Sequence, residues 1–242
     1  MKRTNPKKRY LVWLLSMPVL IGLITGACLL RDPTGSDAKV LPQDTVTSPE
    51  AGNATFLSDP EKIERAAASV VLLEVFDANG NKIGTGSGFA MGEPAVLVTA
   101  AHVIRNMDYM IAWRDDGTSF RIGHASEADT DADIAICPLP EEAGLTPLPA
   151  AQERPMRGED ILVIGSQFGL TNLVSKGTVC GMWKTKDADW TLFSAPVSAG
   201  CSGGPVFNQD GQVTGMVMGT YEKAQNLNLA VPTDKILELL ND

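Results

Sequence analysis

Residues 193–207 read FSAPVSAGCSGGPVF and set Ser202 among three glycines, with apolar, strand-forming residues on either side. A serine hydroxyl is a poor nucleophile until a base takes its proton and donors wait for the developing oxyanion, so a reactive serine needs a shaped turn around it. Gly200, Gly203 and Gly204 permit such a turn, because residues without a Cβ tolerate positive φ and close approach by other backbone. Glycine pairs also mark ordinary hairpins. The rest of the chain must therefore supply a base and an acid.

Residues 200–204 also match the G-x-S-x-G elbow of α/β-hydrolases, in which the acid and the histidine follow the serine. The two histidines of this chain, His102 and His124, both precede Ser202, which excludes that order. His102 closes the run VLVTAAH, at the end of a buried strand where small residues leave room for an imidazole. An imidazole titrates near neutrality, so it can take the serine proton and return it to a leaving group. A buried histidine more often just satisfies a backbone carbonyl. His124, in the polar stretch GHASE, reads as a surface residue. A histidine base needs a carboxylate to hold its tautomer, and TDADIAI offers one beside an apolar strand. Asp133 adjoins that strand directly, whereas Asp129 and Asp131 belong to the solvated loop before it.

Twenty-three glycines and fifteen prolines in 242 residues, with few long helical periods, favour an all-β domain rich in turns. The pattern predicts strands at 70–76, 83–91, 95–99, 109–113, 119–122, 134–139, 160–164, 173–182, 191–194, 205–208, 213–218 and 227–231. It also predicts a short helix capped by Ser58 or Asp59 and an amphipathic, capped helix over 233–240. Twenty basic residues face 29 acidic ones, and six of the bases lie in residues 1–31, which hold no acid. The remainder is strongly acidic, which excludes a nucleic-acid footprint. Of four cysteines, Cys28 lies in the N-terminal apolar segment, leaving Cys137, Cys180 and Cys201 as an odd set with no obligatory disulfide framework.

Residues 1–9 form a basic flank, and 10–30 run for 21 residues without a charge, long enough to cross a bilayer. The basic flank is expected to stay cytoplasmic and to place the remainder on the far side of the membrane. Two readings stay open: an uncleaved signal anchor, or a lipoprotein leader cut before Cys28, where ITGAC resembles a lipobox. Residues 31–58 read as a flexible tether and 59–242 as one domain.

Taken together, VTAAHVI, DADIAI, GSQFGLTNLVSKGTV and APVSAGCSGGPVFNQDGQVTGM resemble trypsin-like serine proteases of the HtrA/Deg type. They occur in that family's order, with 31 residues from His102 to Asp133 and 69 from Asp133 to Ser202. The resemblance implies two perpendicular six-stranded β-barrels with a His102, Asp133, Ser202 triad in the cleft between them. It also implies an oxyanion hole from the N–H groups of Gly200 and Ser202, and a specificity pocket at 193–198 and 216–221, with Val197, Met216, Met218 and Thr220 as lining candidates. The strand at 216–219 would pair with an extended substrate. Cys201 departs from the family's asparagine or aspartate before the serine and reads as a neighbour that could make the site sensitive to thiol reagents. No PDZ domain is expected after the final helix.

The expected function is a membrane-tethered serine endopeptidase acting on polypeptides outside the cytoplasm, without metal or organic cofactor. The alternative is a protease-fold module that binds extended segments without cutting them. Oligomeric state is left open.

Overall fold

The computed structural model describes residues 55–184, 189–221 and 223–241. The expected membrane segment 10–30 and most of the tether lie outside the described residues, among which no helix is long and apolar enough to cross a membrane.

Among the described residues thirteen strands carry the fold: β1 Val70–Phe76, β2 Lys82–Met91, β3 Val96–Ala100, β4 Tyr109–Trp113, β5 Ser119–Ile122, β6 Glu127–Asp129, β7 Ile134–Pro138, β8 Asp160–Gly165, β9 Leu173–Lys184, β10 Asp189–Phe193, β11 Pro205–Phe207, β12 Val213–Thr220 and β13 Asn228–Pro232. Alternation sets which side chains go inward. In β1, Val71, Leu73 and Val75 are fully buried, while Glu74 accepts from Lys82 Nζ at 2.6 Å and Trp113 Nε1 at 2.9 Å. Helix α1 (Pro60–Ala67) starts where Asp59 Oδ1 accepts the N–H groups of Glu61 and Lys62, with proline at its first position. Helix α2 (Thr233–Leu240) buries Ile236, and Thr233 turns its hydroxyl to the Val213 carbonyl instead of capping the helix.

The two halves differ from the expected pair of six-stranded barrels. Strands β8 to β13 close into a barrel in the order β10-β13-β12-β11-β8-β9, filled by Ile161, Val163, Val179, Phe193, Val206 and Val217. Bulges at Leu192/Phe193, Val206/Phe207 and Val217/Gly219 bend its strands toward closure. The first half is instead an open seven-stranded sheet, β5-β4-β1-β2-β3-β7-β6. Its two end strands are short, and β6, with exposed Glu127 and Ala128, pairs only with β7, so the edges do not meet. One core runs across both halves: Leu73, Phe89 and Met91 of the sheet pack in the same cluster as Leu162, Phe207 and Met216 of the barrel.

The packed domain also begins ahead of the expected boundary at 59. Phe56 and Leu57 are buried in a single 3-10 turn, and the Phe56 ring lies 5.2 Å from that of Phe207. Two isolated apolar residues in a polar stretch carry too little periodicity to separate an anchor from a tether.

Arg154 ties the barrel to α2. Its guanidinium bonds both oxygens of Asp189 at 2.7 and 2.9 Å and both of Asp234 at 3.0 and 2.6 Å. The hydrogen bonds from Arg154 hold the Asp189 carboxyl below its ordinary range. A depressed carboxylate adds stability that is present above its unfolded pKa and is lost as pH falls through the lower folded value. Arg154→Ala is therefore expected to cost about 1–2 kcal/mol at pH 7, discounted for partial exposure. The gap to wild type should narrow below about pH 4, as denaturant midpoints across pH would show.

Candidate active site

Strand pairing brings His102 and Asp133 together. In the β3–β7 ladder Ala100 lies opposite Ile134, so the next residues outward meet, and Ala101 N–H donates to the Asp133 carbonyl at 3.1 Å. Asp133 takes a left-handed conformation, φ 60°, which aspartate tolerates better than most residues. That twist sends its carboxylate back to the turn after β3. Oδ1 accepts the His102 backbone N–H at 2.9 Å, and Oδ2 lies 2.7 Å from Nδ1 of the ring. A carboxylate only accepts, so Nδ1 carries the hydrogen and Nε2 is left with its lone pair. Asp129 instead accepts the N–H groups of Asp131 and Ala132 and shapes the loop, and His124 is exposed.

Ser202 reaches the same region through β2. The N–H of Ser87 donates to the Ser202 carbonyl at 2.8 Å. A Cβ placed on neighbouring Gly86 would stand 2.5 Å from Val103 Cγ1 and 3.2 Å from the Ser202 carbonyl oxygen, so the residue after His102 and the serine share one glycine's space. The Ser202 hydroxyl donates to the Met218 carbonyl at 3.2 Å, and no hydrogen bond joins it to His102.

Before the serine, three successive peptide planes are pinned by their carbonyls. Ala199 O accepts from Phe168 N–H at 2.8 Å, Cys201 O from Gly204 N–H at 2.9 Å, and Gly200 O from the Ser87 hydroxyl at 2.7 Å. Gly200 sits at φ +97°. The N–H groups of Gly200 and Ser202 find no acceptor among the described residues. Two unused donors beside a serine hydroxyl can receive an anionic oxygen.

Cys201 does not act as the sequence suggested. It is fully buried in the barrel core, its sulfur so close to Gly165 that a Cβ there would lie 2.5 Å from Sγ. Burial pushes its thiol up to about 12 and does the same for Cys137, so neither is a thiolate at neutral pH. Only Cys180 of the three is exposed. The position before the serine is an apolar plug, not a redox-sensitive neighbour.

The pocket candidates divide. Met216 is fully buried in the common core, on the opposite face of β12 from Val217, which fills the barrel; it does not line a surface pocket. Met218 and Val197 are half-buried and Thr220 is exposed. Beyond Val217, whose N–H donates to the Gly204 carbonyl and whose carbonyl accepts from Gly203 N–H, β12 has no strand on its β11 side.

Sequence reasoning missed Ser87, Ser166 and the Phe168 N–H, all of which touch the serine loop or its supports. Their signal was faint. A serine in the alternating run GTGSGF reads as a strand residue, and a backbone N–H leaves no mark in sequence.

A histidine fixed by an aspartate through its ring nitrogen, set beside a serine in a glycine turn where a sheet meets a barrel, is the arrangement of chymotrypsin-like folds. The chain belongs to the trypsin-like peptidase domain family, whose model matches residues 86–216, more than half of its length. It is 31% identical over 198 residues to serine protease HTRA1B of Danio rerio, covering 76% of this chain and 40% of that one. Serine protease HTRA1 of Xenopus tropicalis is 30% identical over 199 residues, covering 76% and 42%. The chain thus spans about two fifths of the length of these relatives. The crystal structure of the serine endoprotease from Yersinia pestis shares the fold with a TM-score of 0.65 at 23% identity, over 74% of this chain and 64% of that one.

Proposed function

We propose that the chain is a membrane-tethered serine endopeptidase, with Ser202 as nucleophile, His102 as acid and base, and Asp133 as the group that orients the imidazole. The observation that carries this reading is the pair of bonds from one carboxylate to the backbone and ring of His102, which leaves Nε2 as a base. Rotation of the Ser202 hydroxyl away from the Met218 carbonyl lets it give its proton to Nε2 as Oγ attacks the scissile carbonyl. The N–H groups of Gly200 and Ser202 receive the oxyanion. The imidazolium then protonates the leaving amine, and water repeats the sequence on the acyl-enzyme. The open edge of β12 at residues 218–220 accepts the substrate backbone as an added strand, with Val197, Met218 and Thr220 beside it. The basic flank and the apolar run of residues 10–30 support a tether with the protease domain on the extracytoplasmic side.

One observation favours a second reading, a module that binds extended polypeptide without cutting it: the Ser202 hydroxyl is engaged by Met218 and not by His102. Fluorophosphonate labelling and casein cleavage by the full-length chain separate the two. The peptidase reading expects labelling that Ser202→Ala abolishes, with cleavage lowered at least about a thousandfold. A folded wild type that stays unlabelled and binds casein as well as Ser202→Ala does would establish the binding module.

A further inference from the structure

We infer that Ser87 is a positioning residue for the oxyanion hole, an inference that rests on the peptidase reading above. Ser87 is fully buried on β2 of the open sheet, yet most of its polar atoms engage the serine loop or its supports in the other half of the fold. Its hydroxyl donates to the Gly200 carbonyl at 2.7 Å across 113 residues of sequence. The same oxygen accepts from Ser166 N–H, just after β8, at 2.9 Å. Its backbone N–H holds the Ser202 carbonyl at 2.8 Å, and its own carbonyl accepts from Thr99 Oγ1 at 2.7 Å. One residue thus grips the loop on both sides of Cys201.

The Gly200 carbonyl belongs to the peptide plane lying between the two whose N–H groups point to the oxyanion. A glycine at φ +97° has no side chain to bar rotation of that plane, so hydrogen bonds must fix it. One comes from the Ser87 hydroxyl, and the other runs from Cys201 N–H to the Ser198 carbonyl at 3.0 Å. Deleting the hydroxyl orphans a carbonyl on buried Gly200 and the N–H of buried Ser166 at once. Both then seek partners, and a turn of the Gly200–Cys201 plane shifts the two Cα atoms it shares with the planes on either side, which moves the Gly200 and Ser202 N–H groups off their aim.

The test compares fluorophosphonate inactivation of the full-length wild type with Ser87→Ala, Ser87→Cys and Ser87→Thr, resolving the maximal inactivation rate from the half-saturating probe concentration. The phosphoryl oxygen of the probe occupies the oxyanion hole. Ser87→Ala is expected to lower the maximal rate about tenfold to a hundredfold, less than outright loss of a donor, with the half-saturating concentration unchanged. Ser87→Thr, which keeps the hydroxyl, is expected to recover part of the rate, and Ser87→Cys, a weak donor of similar shape, to fall between. A purely structural role would lower the melting temperature of Ser87→Ala and leave the maximal rate intact well below it, which would overturn the inference. Should Ser87→Ala not fold, a wild-type rate in Ser87→Cys would overturn it equally. If the wild type itself is not labelled, the peptidase reading has failed and this inference falls with it; a labelled wild type with unaffected variants removes only the role of Ser87.

Discussion

Asp133→Asn is expected to lower casein turnover about ten-thousandfold while leaving the fold and the half-saturating substrate concentration nearly unchanged. The carboxylate of Asp133 accepts two N–H groups from His102, one from the backbone and one from the ring. An asparagine can accept only through its oxygen. If that oxygen keeps the backbone N–H, the amide NH2 faces Nδ1, which must then accept; the ring hydrogen moves to Nε2, and the base is gone. If the oxygen turns to Nδ1 instead, the amide NH2 confronts the His102 N–H and the turn after β3 loosens. Either outcome also removes the negative charge that stabilises the imidazolium. Because Asp133 is only partly buried and its own backbone carbonyl still accepts from Ala101, little stability is at stake. Steady-state kinetics with a melting curve decides: turnover within tenfold of wild type would remove Asp133 from the mechanism.

Gly203→Ala is expected to be among the most damaging single methyls at the described glycines, destabilising the fold by about 3–5 kcal/mol, since left-handed strain and overpacking add at one place. Gly203 sits at φ +87°, and a Cβ there would overlap the Ser87 carbonyl oxygen while standing 2.5 Å from Thr99 Oγ1 and 3.1 Å from Ala100 N. These neighbours cannot yield, because Thr99 Oγ1 is bonded to that same Ser87 carbonyl and β3 is paired on both sides. Gly84→Ala provides the contrast, for nothing lies within 4 Å of a Cβ at that position. Denaturant melts of the two variants should differ by most of the stated amount. Near-equal midpoints would mean that the loop gives way cheaply.

The sequence made the local pattern of strands legible because burial imposes a period of two, and β1, β4 and β5 begin and end where alternation and turn residues place them. It made the His102 and Asp133 contact legible too, since a histidine after one apolar strand and an aspartate before another are brought level when the strands pair. Closure was not legible. Whether a sheet meets its own edge depends on how its end strands twist and pair, and the three-residue β6 carries no alternation to announce itself. Met216 was misplaced because β12 is covered on both faces there, by the barrel interior at Val217 and by the common core at Met216, and a strand buried on both faces shows no alternation to read. Cys201 read as chemistry because of its neighbour, whereas the space beside Gly165 makes it packing.

The serine loop is assembled from parts that are distant along the chain. Ser87 meets Gly200 across 113 residues, and Asn172, near the loop through its bond to Ser166, reaches back 105 residues to the Ala67 carbonyl and 102 to that of Val70. Contacts so remote close late, after the entropy of large loops has been overcome. The barrel by itself therefore holds Ser202 without the bonds from Ser87 that aim the loop. On the peptidase reading, the bonds that aim Ser202 exist only where sheet and barrel meet, so a covalent serine probe is expected to double as a gauge of complete assembly.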